Sequence, residues 1–244
     1  MLVNKECKRL FLWSGPRNIS TTLMYSFAQR EDTSVYDEPL YAAYLYHSSA
    51  RAYHPSSSAI LDSLPNEYET VVSEMLSAKP TPVAFFKNMA HHLLHVDRAF
   101  MLEGINIILT RDPQEMLPSF DKVIQNPKID DVGYKAHVGL LDYFEQNSMK
   151  YVVLDATLLL KNPEGVLRKL CEATGILFDH KMLSWPSGPR AEDGIWAKHW
   201  YGNVHKSSGF RTYHKKEAPF PQHLMPLLSE CKPFYDVLRE KSLY

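Results

Sequence analysis

Short runs of almost wholly apolar residues recur along this chain, and each stops at a charged or small polar residue. Leu10-Phe11-Leu12-Trp13 runs into Ser14-Gly15-Pro16-Arg17. Val83-Ala84-Phe85-Phe86 ends at Lys87, and Ile105-Asn106-Ile107-Ile108-Leu109-Thr110 ends at Arg111. Tyr151-Val152-Val153-Leu154 is the last clear run, and Ser34-Val35-Tyr36 is a shorter β-prone stretch leading into Asp37-Glu38-Pro39. Helical stretches alternate with them: Leu23, Met24, Phe27 and Ala28 share one face, as do Val71, Val72, Met75 and Leu76 before Pro80 and Pro82. Further helices are expected over 41–46, 113–125, 133–146 and 163–173, the last with Pro163 at its start and Gly175 just past its end. Residues 53–63, with His54-Pro55-Ser56-Ser57-Ser58, read as a loop. A strand that is apolar on both sides must be covered on both sides. This order therefore predicts an α/β chain with a parallel sheet between helical layers. Such sheets bind ligands beyond the carboxyl ends of their strands, where Ser14 to Arg17, Asp37-Glu38, Lys87 and Arg111 stand.

Composition narrows the partners. Of 244 residues, 27 are basic and 28 acidic, a net charge of -1, so no global positive field exists to attract nucleic acid. No apolar run approaches a membrane span, and residues 1–9 carry no signal core. Cys7, Cys171 and Cys231 are far apart and odd in number, which fits reduced thiols in a cytoplasmic protein. A single domain over 1–244 is expected, acting on a small molecule, with neither nucleic acid nor membrane as partner.

The first strand end is the most specific. A strand, a small polar loop and a helix start direct successive backbone N–H groups at one point and favour an anion there. Here those groups belong to Asn18, Ile19, Ser20, Thr21 and Thr22, with Arg17 as a permanent cation and three hydroxyls beside it. The loop lacks the lysine of G-x-x-x-x-G-K-[ST], so it suits one phosphate better than a metal-bound triphosphate; Asp155 is the one acidic strand end to argue for Mg²⁺. The plainer reading is a strand-to-helix turn capped by Ser20. A second anion signal is Arg111 at a strand end with Ser119 eight residues on, in the helix that begins at Pro113.

With both signals in place the chain resembles the sulfotransferases that use 3′-phosphoadenosine 5′-phosphosulfate. Pro16-Arg17-Asn18-Ile19-Ser20-Thr21 is similar to their Pro-Arg-Ser-Gly-Thr-Thr loop, with Ile19 in place of the usual Gly. Arg111 and Ser119 match the pair that holds the donor's 3′-phosphate. The stretch from Leu154 to Pro163, followed by Leu167, Leu170 and Gly175, resembles a largely architectural family segment. Trp-Ser-x-Pro-Arg and Asp-Glu-Pro-Leu-Tyr also resemble the sulfotransferase-like domain that plants fuse to an aminotransferase-like one. The resemblance implies a P-loop NTPase-like three-layer sandwich with a mostly parallel central sheet flanked by helices. It also implies 3′-phosphoadenosine 5′-phosphosulfate as co-substrate, no metal, and Lys206 in a late basic loop closing over the donor.

The same resemblance places Lys87 at the family's Lys-Thr-His strand end, but the histidine position, the usual base, is Met89 here. Some members use a glutamate from the second strand end, which makes Glu38 the candidate base and Lys87 the group that aids the leaving phosphate. The plainer reading of Glu38 is a salt bridge to Arg17 or Lys87, or a charged turn before Pro39, and that of Lys87 is a solvated strand end. His91, His92 and His95 are at helical spacing; His91 or His92 is an alternative base, and His91 with His95 shares a helical face as a metal pair would. The aromatic residues Trp185, Trp196, Trp200, Tyr201, Phe210 and Tyr213 line an acceptor pocket, stack on adenine or pack the core. The expected function is sulfuryl transfer to a hydroxyl or amine of a small acceptor. The alternatives are a small-molecule kinase or other NTP-using enzyme, and a non-catalytic module that binds 3′-phosphoadenosine phosphate.

Overall fold

A computed structural model of the chain describes residues 7–78, 81–215 and 218–243. Pro80 and most of the N-terminal segment named above lie outside them. The order of elements is β1 (Lys8–Ser14), α1 (Ser20–Phe27), β2 (Thr33–Asp37), α2 (Tyr41–Tyr46), α3 (Ser57–Ser63), α4 (Tyr68–Ser77), β3 (Val83–Met89), β4 (Ile105–Thr110) and α5 (Pro113–Phe120). Then come α6 (Ile129–Val132), α7 (Tyr134–Gln146), β5 (Tyr151–Asp155), α8 (Ala156–Lys161), α9 (Pro163–Thr174), α10 (Ala197–Trp200) and α11 (Met225–Glu240).

The five strands form one sheet in the order β2-β3-β1-β4-β5. Every pairing is parallel, with Ser14 beside Met89 and Leu109, and Asp37 beside Lys87. Their carboxyl ends therefore open on one edge. Strand side chains alternate between two cores. Phe11, Trp13, Phe86, Ile108 and Val153 pack with Val71 and Met75 of α4, Leu140 and Phe144 of α7 and Leu238 of α11. Leu10, Leu12, Phe85, Leu109 and Leu154 pack with Leu23 and Phe27 of α1 and with Leu167 and Leu170 of α9. Each face removes large apolar side chains from water, at roughly 1.5–3 kcal/mol apiece, which is why the strands read as apolar runs and not as alternating ones. The architecture is the expected P-loop-like three-layer sandwich, and the sheet is wholly parallel.

Three local expectations change. Residues 53–63 are not all loop: Ser57–Ser63 is helical, entered through Ser56 at φ 61, with Ile60 wholly buried in a third core. A single buried residue holds a helix whose serine content gave no periodic signal. The helix from Pro113 ends at Phe120 and not near Gln125, with Pro118 inside it. His91, His92 and His95 do not share an α-helical face, because Ala90–His92 is a 3-10 turn and His95 has φ 55.

Candidate functional site

The loop after β1 is built from left-handed residues. Arg17 has φ 59 and Ile19 has φ 62, values that cost a β-branched residue about 1–2 kcal/mol. The family's Gly would take this shape freely, so Ile19 keeps the backbone path at an energetic cost. The loop is held from three sides. Asn18 Nδ2 donates to the Leu109 carbonyl at 3.0 Å, Arg111 Nη1 donates to the Arg17 carbonyl at 3.0 Å, and a Cβ on Gly15 would stand 2.8 Å from the Val132 oxygen. Ile19 is the N-cap of α1 and accepts from Leu23 N–H at 3.1 Å. Ser20 is thus the first helical residue, and the capping role read for it is not the one it takes. The N–H groups of Ser20, Thr21 and Thr22, in the first turn, have no carbonyl within the helix.

Arg17 Nε donates to Ser119 Oγ at 3.1 Å, and its Nη1 donates to the Trp200 carbonyl at 3.1 Å. Burial, then the charge of Arg111, lowers its affinity for its proton. Two guanidinium groups are thus held near each other against their mutual repulsion, an arrangement that an anion relieves. Arg111 Nε is buried without a protein partner, while Nη2 pairs with Glu115 at 3.3 Å. The two anion signals read from the sequence therefore meet in space.

The ends of β2 and β3 carry a buried charge network. Glu38 sits at φ 46, and its N–H donates to the Lys87 carbonyl at 2.7 Å. Lys87 is fully buried and donates to Asp37 Oδ1 at 2.7 Å, Glu38 Oε1 at 2.5 Å and the Tyr201 hydroxyl at 2.6 Å. The Tyr201 hydroxyl donates to Asp37 at 2.7 Å and accepts from Trp196 Nε1 at 3.1 Å, and Gly194 N–H donates to Asp37 Oδ2 at 3.0 Å. Burial raises the pKa of Glu38; Lys87 opposes the rise and Asp37 adds to it. Lys87 is raised as well, because Asp37 and Glu38 outweigh its desolvation. Two carboxylates and one ammonium leave a surplus of negative charge, so Glu38 is a group suited to take and keep a proton.

One cavity of about 390 Å³ joins these parts. Arg17, Ile19, Ser20, Thr21, Thr22, Arg111 and Ser119 line it, as do Glu38 and Lys87. Asn18 supports the loop from behind, and Lys206 is exposed and does not line the cavity. In the late loop the residues that line the cavity are Ser207, Gly209 and Arg211, the last anchored to the Asn203 carbonyl at 3.1 Å. Asp155 also stays away: its oxygens cap α8 and accept from Tyr235. Among the aromatic candidates, Trp196, Trp200 and Tyr201 line the cavity, whereas Trp185 packs against Phe210 and Tyr213 bonds Glu115.

The remaining wall is aromatic. His92 stacks on Tyr41 at 4.9 Å and on Tyr44 at 4.4 Å, and Tyr41 meets Trp196 edge-on at 5.1 Å. The Tyr41 hydroxyl is 2.7 Å from His54 Nδ1. Burial holds His91 down to about 3 and His54 to about 4, and pushes His92 well below its usual range. All three line the cavity as neutral rings. Sequence reasoning missed Asp37 as a partner of Lys87, Tyr201 as the hub and Arg211 at the rim. The strand-end position of Asp37 was the one usable signal; Tyr201 and Arg211 sit in an irregular segment that carries none.

A family model described as "Sulfotransferase domain" matches residues 8–242. The Arabidopsis thaliana "Branched-chain-amino-acid aminotransferase-like protein 2" is 39% identical over 229 residues, covering 93% of this chain and 40% of its own length. A second such Arabidopsis protein is 37% identical, with 41% of its length covered, so the chain spans about two fifths of the curated relatives it matches. Among solved structures, a sulfotransferase from Alicyclobacillus acidocaldarius superposes with a TM-score of 0.56 at 11% identity, covering 98% of each chain. The sulfotransferase domain from the curacin biosynthetic pathway gives 0.50 at 15% identity, covering 94% of this chain and 99% of that one. These two likenesses concern the fold.

Proposed function

The chain belongs to the sulfotransferase domain family, and from that premise we propose that it moves a sulfuryl group from 3′-phosphoadenosine 5′-phosphosulfate to a small acceptor. The nucleophile in this reading is a hydroxyl. The observation that carries it is the convergence of the α1 first turn, the Arg17–Arg111–Ser119 cluster and the Glu38–Lys87 pair on one cavity. The first-turn N–H groups of Ser20, Thr21 and Thr22 hold the donor's 5′-phosphate. Arg111 and Ser119 hold its 3′-phosphate, and Arg111 has a buried Nε free to do so. The donor supplies the sulfuryl group and leaves as the bisphosphate.

Glu38 takes the acceptor's proton as its oxygen bonds to sulfur. Asp37 keeps Lys87 charged, so that its ammonium faces the charge that develops on the leaving side. Positioning supplies the rest, since both substrates share one enclosure. The protein is cytoplasmic in this reading. Among the described residues, no helix is long and apolar enough to cross a membrane.

Two measurements test the proposal. Adenosine 3′,5′-bisphosphate is expected to raise the thermal midpoint, whereas ATP with Mg²⁺ is not; the reverse outcome would make the protein an NTP-using enzyme. Turnover of labelled donor across an acceptor panel then separates a transferase from a module that only binds the nucleotide.

A further inference from the structure

Tyr201 lies just past α10, and its hydroxyl is where that segment meets β2, β3 and α1. The residue is 4% exposed. Lys87 donates to the hydroxyl at 2.6 Å and Trp196 Nε1 at 3.1 Å, while the hydroxyl donates to Asp37 at 2.7 Å. It also bonds the Thr21 side chain and lies within electrostatic reach of Glu38. Counting protons shows what this contact does. An ammonium has three N–H donors and no acceptor. Lys87 spends one on each of Asp37, Glu38 and Tyr201. Two carboxylates thus share one cation, and among the described residues neither forms a second ion pair. Neutral donors make up the deficit at Asp37, whose side chain is 1% exposed: the Tyr201 hydroxyl and the Gly194 N–H at 3.0 Å. Burial pushes the Tyr201 phenol well above its ordinary range, so it keeps the proton that it donates.

We infer that Tyr201 is a positioning residue of the reaction: its hydroxyl fixes how Asp37 and Glu38 share Lys87, and so keeps Glu38 ionised and able to take the acceptor's proton. The inference rests on the sulfuryl-transfer reading, in which Glu38 is the base. A hydroxyl bonded to Asp37 stabilises that charge without drawing on Lys87, which leaves the ammonium to hold Glu38 ionised as well. Tyr201 itself also favours the ionised form of Glu38. Without the hydroxyl, Asp37 draws Lys87 to itself, and the two carboxylates take up their first proton at a higher pH. A pair that already holds that proton is no base. Tyr25, Tyr41 and His92 also lie within electrostatic reach of this network. Burial pushes the two phenols up and the imidazole down, so all three are uncharged and supply no replacement cation.

The test compares the unaltered protein with Tyr201→Phe and with a protein carrying 3-fluorotyrosine at position 201. The fluorinated phenol is more acidic, so it donates more strongly to Asp37 and accepts more weakly from Lys87. Transfer rates are read against pH. The ionisation of Glu38 is followed in the ligand-free protein by carbon-13 NMR, its signal assigned by its loss in Glu38→Gln. Tyr201→Phe is expected to move the acid limb of the rate profile up by about one pH unit, the scale of a lost hydrogen bond to a charged group, with the rate recovering at higher pH. The NMR titration moves the same way, and adenosine 3′,5′-bisphosphate still binds. The fluorinated residue moves both down. It keeps the ring and every partner, so it decides the matter if Tyr201→Phe does not fold. A rate lowered equally at every pH marks a merely structural tie and overturns the inference. So does an unmoved acid limb, and so do two variants that shift it in the same direction. If transfer proceeds and the Glu38 titration does not move, this inference fails and the donor reading stands. If the titration moves as expected but neither bisphosphate binding nor transfer is seen, the donor reading fails and the coupling of Tyr201 to Glu38 stands.

Discussion

The two ends of the cavity, for donor and acceptor in the proposed reading, are built from different kinds of chain. The donor end is made of strand ends and the first turns of the helices that follow them, so its main residues are fixed by β1, α1, β4 and α5. The acceptor end is assembled from α2, the 3-10 turn at Ala90–His92, α6 and the segment around α10. At the donor end, position follows from local sequence. At the acceptor end it follows from which distant segments happen to pack together, and rings stack where they meet. A cavity of this kind can keep its donor chemistry while its acceptor wall changes.

Substitutions at the boundary and at each end test this division. The largest effect is expected at the boundary. Glu38→Gln should lower the rate of transfer by about 10²–10⁴-fold, the usual share of a general base, with bisphosphate affinity retained. Single-turnover assays alongside calorimetry would show it, and an undiminished rate removes the base. Next, Arg111→Ala should weaken bisphosphate binding by about 100-fold, since it removes a charged partner worth about 1.5–3 kcal/mol and also releases the Arg17 carbonyl. Acceptor-end binding should change little. A comparable loss at both ends would break the comparison.

Gly15→Ala is expected to cost about 1–3 kcal/mol of stability in denaturant melts, because its Cβ would press on the Val132 oxygen at 2.8 Å. Neutral stability would mean that the loop is not held rigidly from behind. The remaining effect is a pH dependence set by buried histidines, three at the aromatic wall and His137 behind the loop that follows β1. His54, His91 and His137 have folded pKa values of about 4, 3 and 4 against an ordinary 6.5, and His92 is lower still than its ordinary value. The unfolded chain binds protons first as pH falls below 6.5, so stability is lost progressively from pH 6.5 down through about 3 and is constant with respect to these groups above pH 6.5. Calorimetric midpoints across that range should fall, and His92→Asn should flatten the slope. An unchanged slope would show that the rings carry protons in the fold.

The same contrast explains what could be read from the sequence. The sheet was legible because strands covered on both faces must be nearly wholly apolar, as in Leu10 to Trp13 and Ile107 to Leu109. Arg17, Arg111 and Ser119 were legible because each follows a strand at a fixed offset. Tyr201 and Arg211 were not, since no periodicity governs residues 201–215 and their neighbours come from other parts of the chain. Ile60 is a similar case, one buried residue inside a serine-rich stretch. In the same irregular segment Arg211 lines the cavity and Lys206 does not, a difference that no local pattern announces.

The Tyr201 hydroxyl and the Gly194 N–H tie residues 194–201 to the ends of two strands through the Lys87 ammonium and the Asp37 carboxylate. Lifting that cover would take a hydroxyl from an ammonium that Asp37 and Glu38 still neutralise, and a hydroxyl and an N–H from Asp37. In the proposed reading, one wall of the cavity and the Lys87–Glu38 pair thus belong to a single network, and shifting that wall alters the ammonium's surroundings.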